Sequence, residues 1–146
     1  MGKTTSKSNV CARIWAGLLA VVISVSGLNV LTGIAAAAED DYLFDAATGT
    51  IEEYLGSASS VEIPGEIDGT KVTAIGQYAF RKKNLSAIKL PDSVVEIGKN
   101  AFAENSLTSI SLPNSLESIG AYAFAYNQLG SLTLPGAVEL GEYAFR

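Results

Sequence analysis

The stretch SIGAYAFAYN, residues 118–127, holds no residue suited to chemistry, yet close copies of its core recur: AIGQYAF from Ala74, EIGKNAF from Glu96 and ELGEYAF from Glu139. Phe80, Phe102, Phe124 and Phe145 are separated by 22, 22 and 21 residues, and Gly76, Gly98, Gly120 and Gly141 keep the same intervals. A second phrase lies between them: LSAIKLP (85–91), LTSISLP (107–113) and LGSLTLP (129–135), with a weaker copy, ASSVEIP, at 58–64. A fixed period of this length means one structural unit per repeat, stacked in a line.

The spacing within each phrase says how a unit is built. Ile110 and Leu112 are two apart, as are Leu132 and Leu134, so both point to one face of an extended strand while Ser111 and Thr133 point outward. Pro113 and Pro135 cannot donate to a ladder and end their strands. In NSLESIG, Leu116 and Ile119 turn inward again and Gly120 permits a tight bend. AYAFAYN then reads as a single helical turn, too short to stand without packing. No unit of this kind buries its apolar side alone. Stacking sets Phe on Phe and Leu on Leu, each burial stabilising by about 1.5–3 kcal/mol. The recurrence is a packing requirement.

Leu-x-x-(Ile/Leu)-x-Leu-Pro, then SV or SL, then Ile-Gly-x-(Tyr/Asn)-Ala-Phe closely resembles the BspA-like, Treponema-type leucine-rich repeats of bacterial surface proteins, over about 57–146. The resemblance implies a curved, β-rich repeat solenoid with parallel strands and one short helical turn or 3-10 segment per coil of about 22 residues. It also implies a surface-exposed binding or adhesion role and brings no catalytic residues. Asn105 and Asn127 stand where the family often has Cys; they are expected to hydrogen-bond backbone at the turn.

The ends depart from the period. Residues 1–38 begin with Lys3, Lys7 and Arg13, continue through an apolar run from Ile14 to Leu31, and end in GIAAAAEDD. This is the layout of a secretory signal peptide, with Ala36 and Ala38 at the −3 and −1 positions and cleavage before Glu39. The alternative is an uncleaved N-terminal anchor, because a run of roughly 18 apolar residues is nearly enough to span a bilayer. GKTT (2–5) lacks the glycine and strand of a phosphate loop, and Cys11 precedes the apolar run rather than following it as a lipid-bearing cysteine would. Residues 39–56 read as a capping hairpin turning at Thr48–Gly49. Residues 57–146 read as about four repeats, the first with an inserted loop at EIDGT (66–70). The chain stops in mid-repeat at Phe145–Arg146, which predicts either a longer natural protein or a covered end.

Residues 39–146 carry seven Lys/Arg against all fifteen Asp/Glu. That balance argues against nucleic acid, whose phosphates demand a basic face. With no histidine in the sequence and Cys11 the single cysteine, no thiolate metal site and no Ser-His nucleophile is available. No cofactor is expected. A parallel β-helix carbohydrate enzyme is the catalytic alternative, and it would need clustered carboxylates on adjacent strands. The outward column instead reads Glu62, Lys89, Ser111, Thr133, beside Ser60, Ala87, Ser109, Ser131, and Glu62 with Lys89 suits a cross-strand ion pair. The expectation is a secreted or cell-surface, non-catalytic module. Its candidate ligand face is Glu62, Lys89, Ser109, Ser111, Ser131 and Thr133, and its partner a protein or an envelope or extracellular glycan. Arg81, Lys82 and Lys83 form a candidate flanking basic patch for an acidic polymer. A spacer holding a further C-terminal domain is the structural alternative.

Overall fold

The architecture was read from a computed structural model that describes Ala35–Ala36 and residues 39–146; the leader assigned to residues 1–38 falls, apart from Ala35–Ala36, outside the described residues. Among the described residues no helix is long and apolar enough to cross a membrane. One compact unit spans Thr32–Arg146. It is built from short strands: β1 (Ala35–Ala36), β2 (Tyr42–Asp45), β3 (Thr50–Tyr54), β4 (Ser60–Glu62), β5 (Glu66–Ile67), β6 (Thr70–Lys71), β7 (Ala74–Ile75), β8 (Ala87–Lys89), β9 (Glu96–Ile97), β10 (Ser118–Ile119) and β11 (Glu139–Leu140).

The repeats stack in register along two sides. On one side, the residue pair ahead of each repeat glycine forms, with the N-terminal hairpin, a sheet of order β11-β10-β9-β7-β3-β2. Its repeat strands are parallel, with Ile75, Ile97, Ile119 and Leu140 partnered in turn. The N-terminal hairpin enters this sheet through β3, whose Ile51 pairs with Ile75, and closes it with the antiparallel β2. The sequence reading assigned no strand here and took the glycines as bends. They serve a closer purpose. A Cβ on Gly120 would lie 2.5 Å from the Lys99 nitrogen, and one on Gly141 would lie 2.3 Å from the Ala121 nitrogen. Glycine lets successive backbones approach to hydrogen-bonding range, and the Gly98 and Gly120 amides donate to the Ile75 and Ile97 carbonyls at 2.7 Å.

On the other side, the Leu-Pro phrase forms a three-stranded sheet, β1-β4-β8, with Val61 paired to Ile88. The strands expected at Ser109–Ser111 and Ser131–Thr133 do not form. No backbone hydrogen bond among the described residues joins 109–113 to 87–91 or to 131–135. Ala35–Ala36, within the stretch the sequence assigns to the leader, pairs in parallel with Val61–Glu62.

The Gly-x-(Tyr/Asn)-Ala-Phe segment is not a helical turn. It is a pair of successive i→i+3 turns, as in Ala101 to Gly98 and Ala103 to Asn100, separated by a residue with positive φ: Tyr78, Asn100, Tyr122 or Tyr143. That left-handed residue breaks the helical path and aims alternate amides at the next repeat. Phe80, Phe102 and Phe124 each donate to the carbonyl of the alanine one repeat on, at 2.7–2.8 Å. Their rings form the spine of the core. Tyr42, Tyr54, Phe80, Phe102, Phe124 and Phe145 follow one another with centroids 5.6, 5.2, 5.1, 5.2 and 5.4 Å apart. Tyr54, from the hairpin, takes the place of a repeat phenylalanine. Asn105 works as the sequence suggests: its Oδ1 accepts from the Lys83 and Leu85 amides and its Nδ2 donates to the Phe80 and Phe102 carbonyls. Asn127 repeats the pattern one unit on.

Candidate functional site

The two sides of the stack offer two open grooves. The first follows from the missing ladder. Ser109, Ser111, Ser131 and Thr133, all exposed, line a groove of about 530 Å³ floored by Ile110, Leu112 and Leu134. The repeats separate here for local reasons. Proline does not decide it, because Pro64 and Pro91 follow the paired β4 and β8 as Pro113 and Pro135 follow the unpaired runs. Ser93 and Ser115 donate to the Val72 and Val94 carbonyls of the preceding repeat at 2.7 Å, but Ala137 stands in that column and supplies no hydroxyl. Burial of the leucine before the proline fades accordingly, from buried Leu90 to half-buried Leu112 to Leu134 at 39% exposure.

Four of the six residues proposed as a ligand face are therefore brought together. Glu62 and Lys89 are not part of the groove; they face each other across β4 and β8 as an ion pair. The basic patch is also largely spoken for. Arg81 binds Glu104 through Nε at 2.8 Å, Lys82 reaches the same carboxylate at 3.1 Å, and Lys83 lies 3.2 Å from Glu53. The Arg81 guanidinium first, then the Lys82 ammonium, hold the Glu104 carboxyl below the usual carboxylate range. An acidic polymer would meet cations already facing carboxylates, which weakens the case for that patch.

The second groove, about 460 Å³, runs over β9, β10 and β11 and carries Glu96, Ser118 and Glu139 in one outward column with Lys99 at its edge. Sequence reasoning missed it because it treated the Ile-Gly step as a bend. Reading the residue before each Ile/Leu-Gly step as an outward column would have found it. Among the described residues, no group of three or more His, Cys, Asp or Glu is placed to hold a metal.

One buried group stands outside both grooves. The Tyr42 hydroxyl finds no hydrogen-bond partner among the described residues. Burial first, then the neighbouring Tyr54 and Asp41, pushes its ionisation well above the ordinary tyrosine range.

This arrangement, with short parallel strands repeating at one phase, an asparagine at two successive turns and a phenylalanine spine, defines a leucine-rich-repeat protein. Residues 53–146 match the BspA type leucine rich repeat region in six copies, and the chain belongs to that family. Its fold is similar to the crystal structure of a leucine rich repeat protein from T. pallidum, with a TM-score of 0.69 and 28% identity over 76% of this chain and 56% of that one. A leucine-rich repeat protein from Bacteroides ovatus is similar with a TM-score of 0.54 and 31% identity, over 66% of this chain and 26% of that one. The chain thus spans little more than half the length of the first of these and about a quarter of the second. No curated protein matches the chain.

Proposed function

We propose that the chain is a secreted or cell-surface binding module, a non-catalytic repeat solenoid that takes a protein or glycan ligand in the groove between its third and fourth repeats. The observation that carries this reading is the pairing of exposed hydroxyls with unused backbone. Ser109, Ser111, Ser131 and Thr133 surround a groove whose neighbouring amides and carbonyls make no ladder bonds among the described residues. Such groups offer a ligand hydrogen bonds without first breaking protein ones. The apolar floor adds area that water leaves on binding. Membership of a leucine-rich-repeat family supports an interaction role, and the signal-peptide layout read in the sequence of residues 1–38 favours export.

Affinity should be modest. A stable interface covers about 800 Å² per partner, more than a groove across two repeats supplies. Many copies on a surface would make up the difference through avidity. The test is to immobilise the full chain and a Ser111→Arg/Thr133→Arg variant and expose both to extracellular-matrix protein and glycan arrays. Binding by the parent that falls at least ten-fold in the variant is expected. Equal binding by the two, or none by the parent, contradicts the assignment.

A further inference from the structure

The first strand of the shorter sheet lies where the sequence places the end of a leader. Ala35 and Ala36 form β1, whose backbone pairs in parallel with Val61 and Glu62 of β4. The same two residues of β4 pair in parallel with Ile88 and Lys89 of β8. The three strands therefore keep one register. The intervals agree as well, since Ala35 precedes Val61 by 26 residues and Val61 precedes Ile88 by 27. Between β1 and β4 the chain crosses to the longer sheet at β3, as it does at β7 between β4 and β8. β1 and β3 thus make the first coil of the stack, with a strand on each side. The hairpin alone supplies a strand on one side only.

Cleavage before Glu39 would remove β1 and split that coil. β4 would become an edge, its backbone N–H and C=O groups unpaired on one side, an arrangement that invites pairing with another chain. The sequence offers a second bond upstream. From Ile14 to Ile23 the run holds no polar side chain and is ten residues long, inside the range of about 7–15 for the apolar core of a signal peptide. The longer run to Leu31 exceeds that range and is interrupted by Ser24, Ser26 and Asn29. Ser24 and Ser26, directly after the shorter run, place small residues at the −3 and −1 positions of the Ser26–Gly27 bond.

We propose that the leader ends at Ser26 and that residues 27–38 stay with the mature chain, where Ala35–Ala36 cover the free side of β4. This rests on the export reading above and changes what is exported. Signal peptidase hydrolyses the Ser26–Gly27 peptide bond: water adds across it, leaving a carboxylate on Ser26 and a new amino terminus on Gly27. After folding, the backbone of Ala36 lies in a ladder, which protects the nearby Ala38–Glu39 bond from nicking.

The test is to express the full chain in an exporting bacterium, recover the product outside the cytoplasm, and read its first residues by Edman sequencing and its intact mass. A start at Gly27 is expected. A start at Glu39, or at any other residue beyond the leader's first, overturns the proposal and leaves export standing. A chain that still carries its whole leader overturns both. Two variants locate the bond independently. Ser26→Lys puts a long charged side chain at −1 and should reduce the product starting at Gly27 at least ten-fold, whereas Ala38→Lys should leave that product unchanged. Loss of processing in Ala38→Lys, with Ser26→Lys processed normally, overturns the assignment.

Discussion

The two sides of the stack are written in the same repeat and behave differently. On the Ile/Leu-Gly side the ladder runs unbroken from the N-terminal hairpin through β11. On the Leu-Pro side it runs through β1, β4 and β8 and stops. Both sides point apolar residues inward at the same phase, so hydrophobic pattern does not distinguish them. Backbone access does. One side carries glycine wherever the next backbone must come close, and the other ends its ladder after β8. The sealed side is bonded repeat to repeat, and the open side leaves backbone outside any ladder among the described residues.

The sharpest blow to the contrast is to remove what both sides share. Phe102 is fully buried between Phe80 and Phe124, and Phe102→Ala should cost about 3–5 kcal/mol. Chemical denaturation should show this as one cooperative loss rather than failure of one side. A smaller and more selective effect is expected from the glycines. In Gly120→Ala the new methyl meets backbone atoms at 2.5 and 2.7 Å, which side-chain rotation does not relieve, and the loss should be about 1–3 kcal/mol. Gly130, on the open side, has nothing within 4 Å of an added Cβ, so Gly130→Ala should shift the denaturation midpoint little or raise it slightly. Equal losses in the two variants would mean that both sides are equally close-packed.

Much of this was legible from the repeats. The phenylalanine and glycine columns show where the units stack, and Asn105 and Asn127 read correctly as turn ligands because a side-chain amide both donates and accepts. Ser109, Ser111, Ser131 and Thr133 were found as an outward column. Their strands were not, because alternation reports which way a residue points and not whether a neighbouring backbone is within bonding range. The six-stranded sheet was missed for the converse reason: glycine signals both a bend and a close approach, and the sequence alone does not separate them. The positive φ at Tyr78, Tyr122 and Tyr143 carries no residue-type signal, since tyrosine is not chosen for that conformation; only their alignment with Asn100 hints at it. The partners of Arg81, Lys82 and Lys83 lie 22 or more residues away at Glu104, or at Glu53 in the hairpin, so the patch looked freer in the sequence than it is.

Amide hydrogen exchange followed by NMR on the full chain tests the central claim most directly. The Gly98 and Gly120 amides, bonded to the preceding repeat, should exchange slowly, by factors approaching global unfolding. The amides of Ser109–Leu112 and Ser131–Leu134 should exchange at rates close to those of an unstructured chain. Comparable protection on the two sides would contradict the account, because it would place a ladder where the groove is drawn.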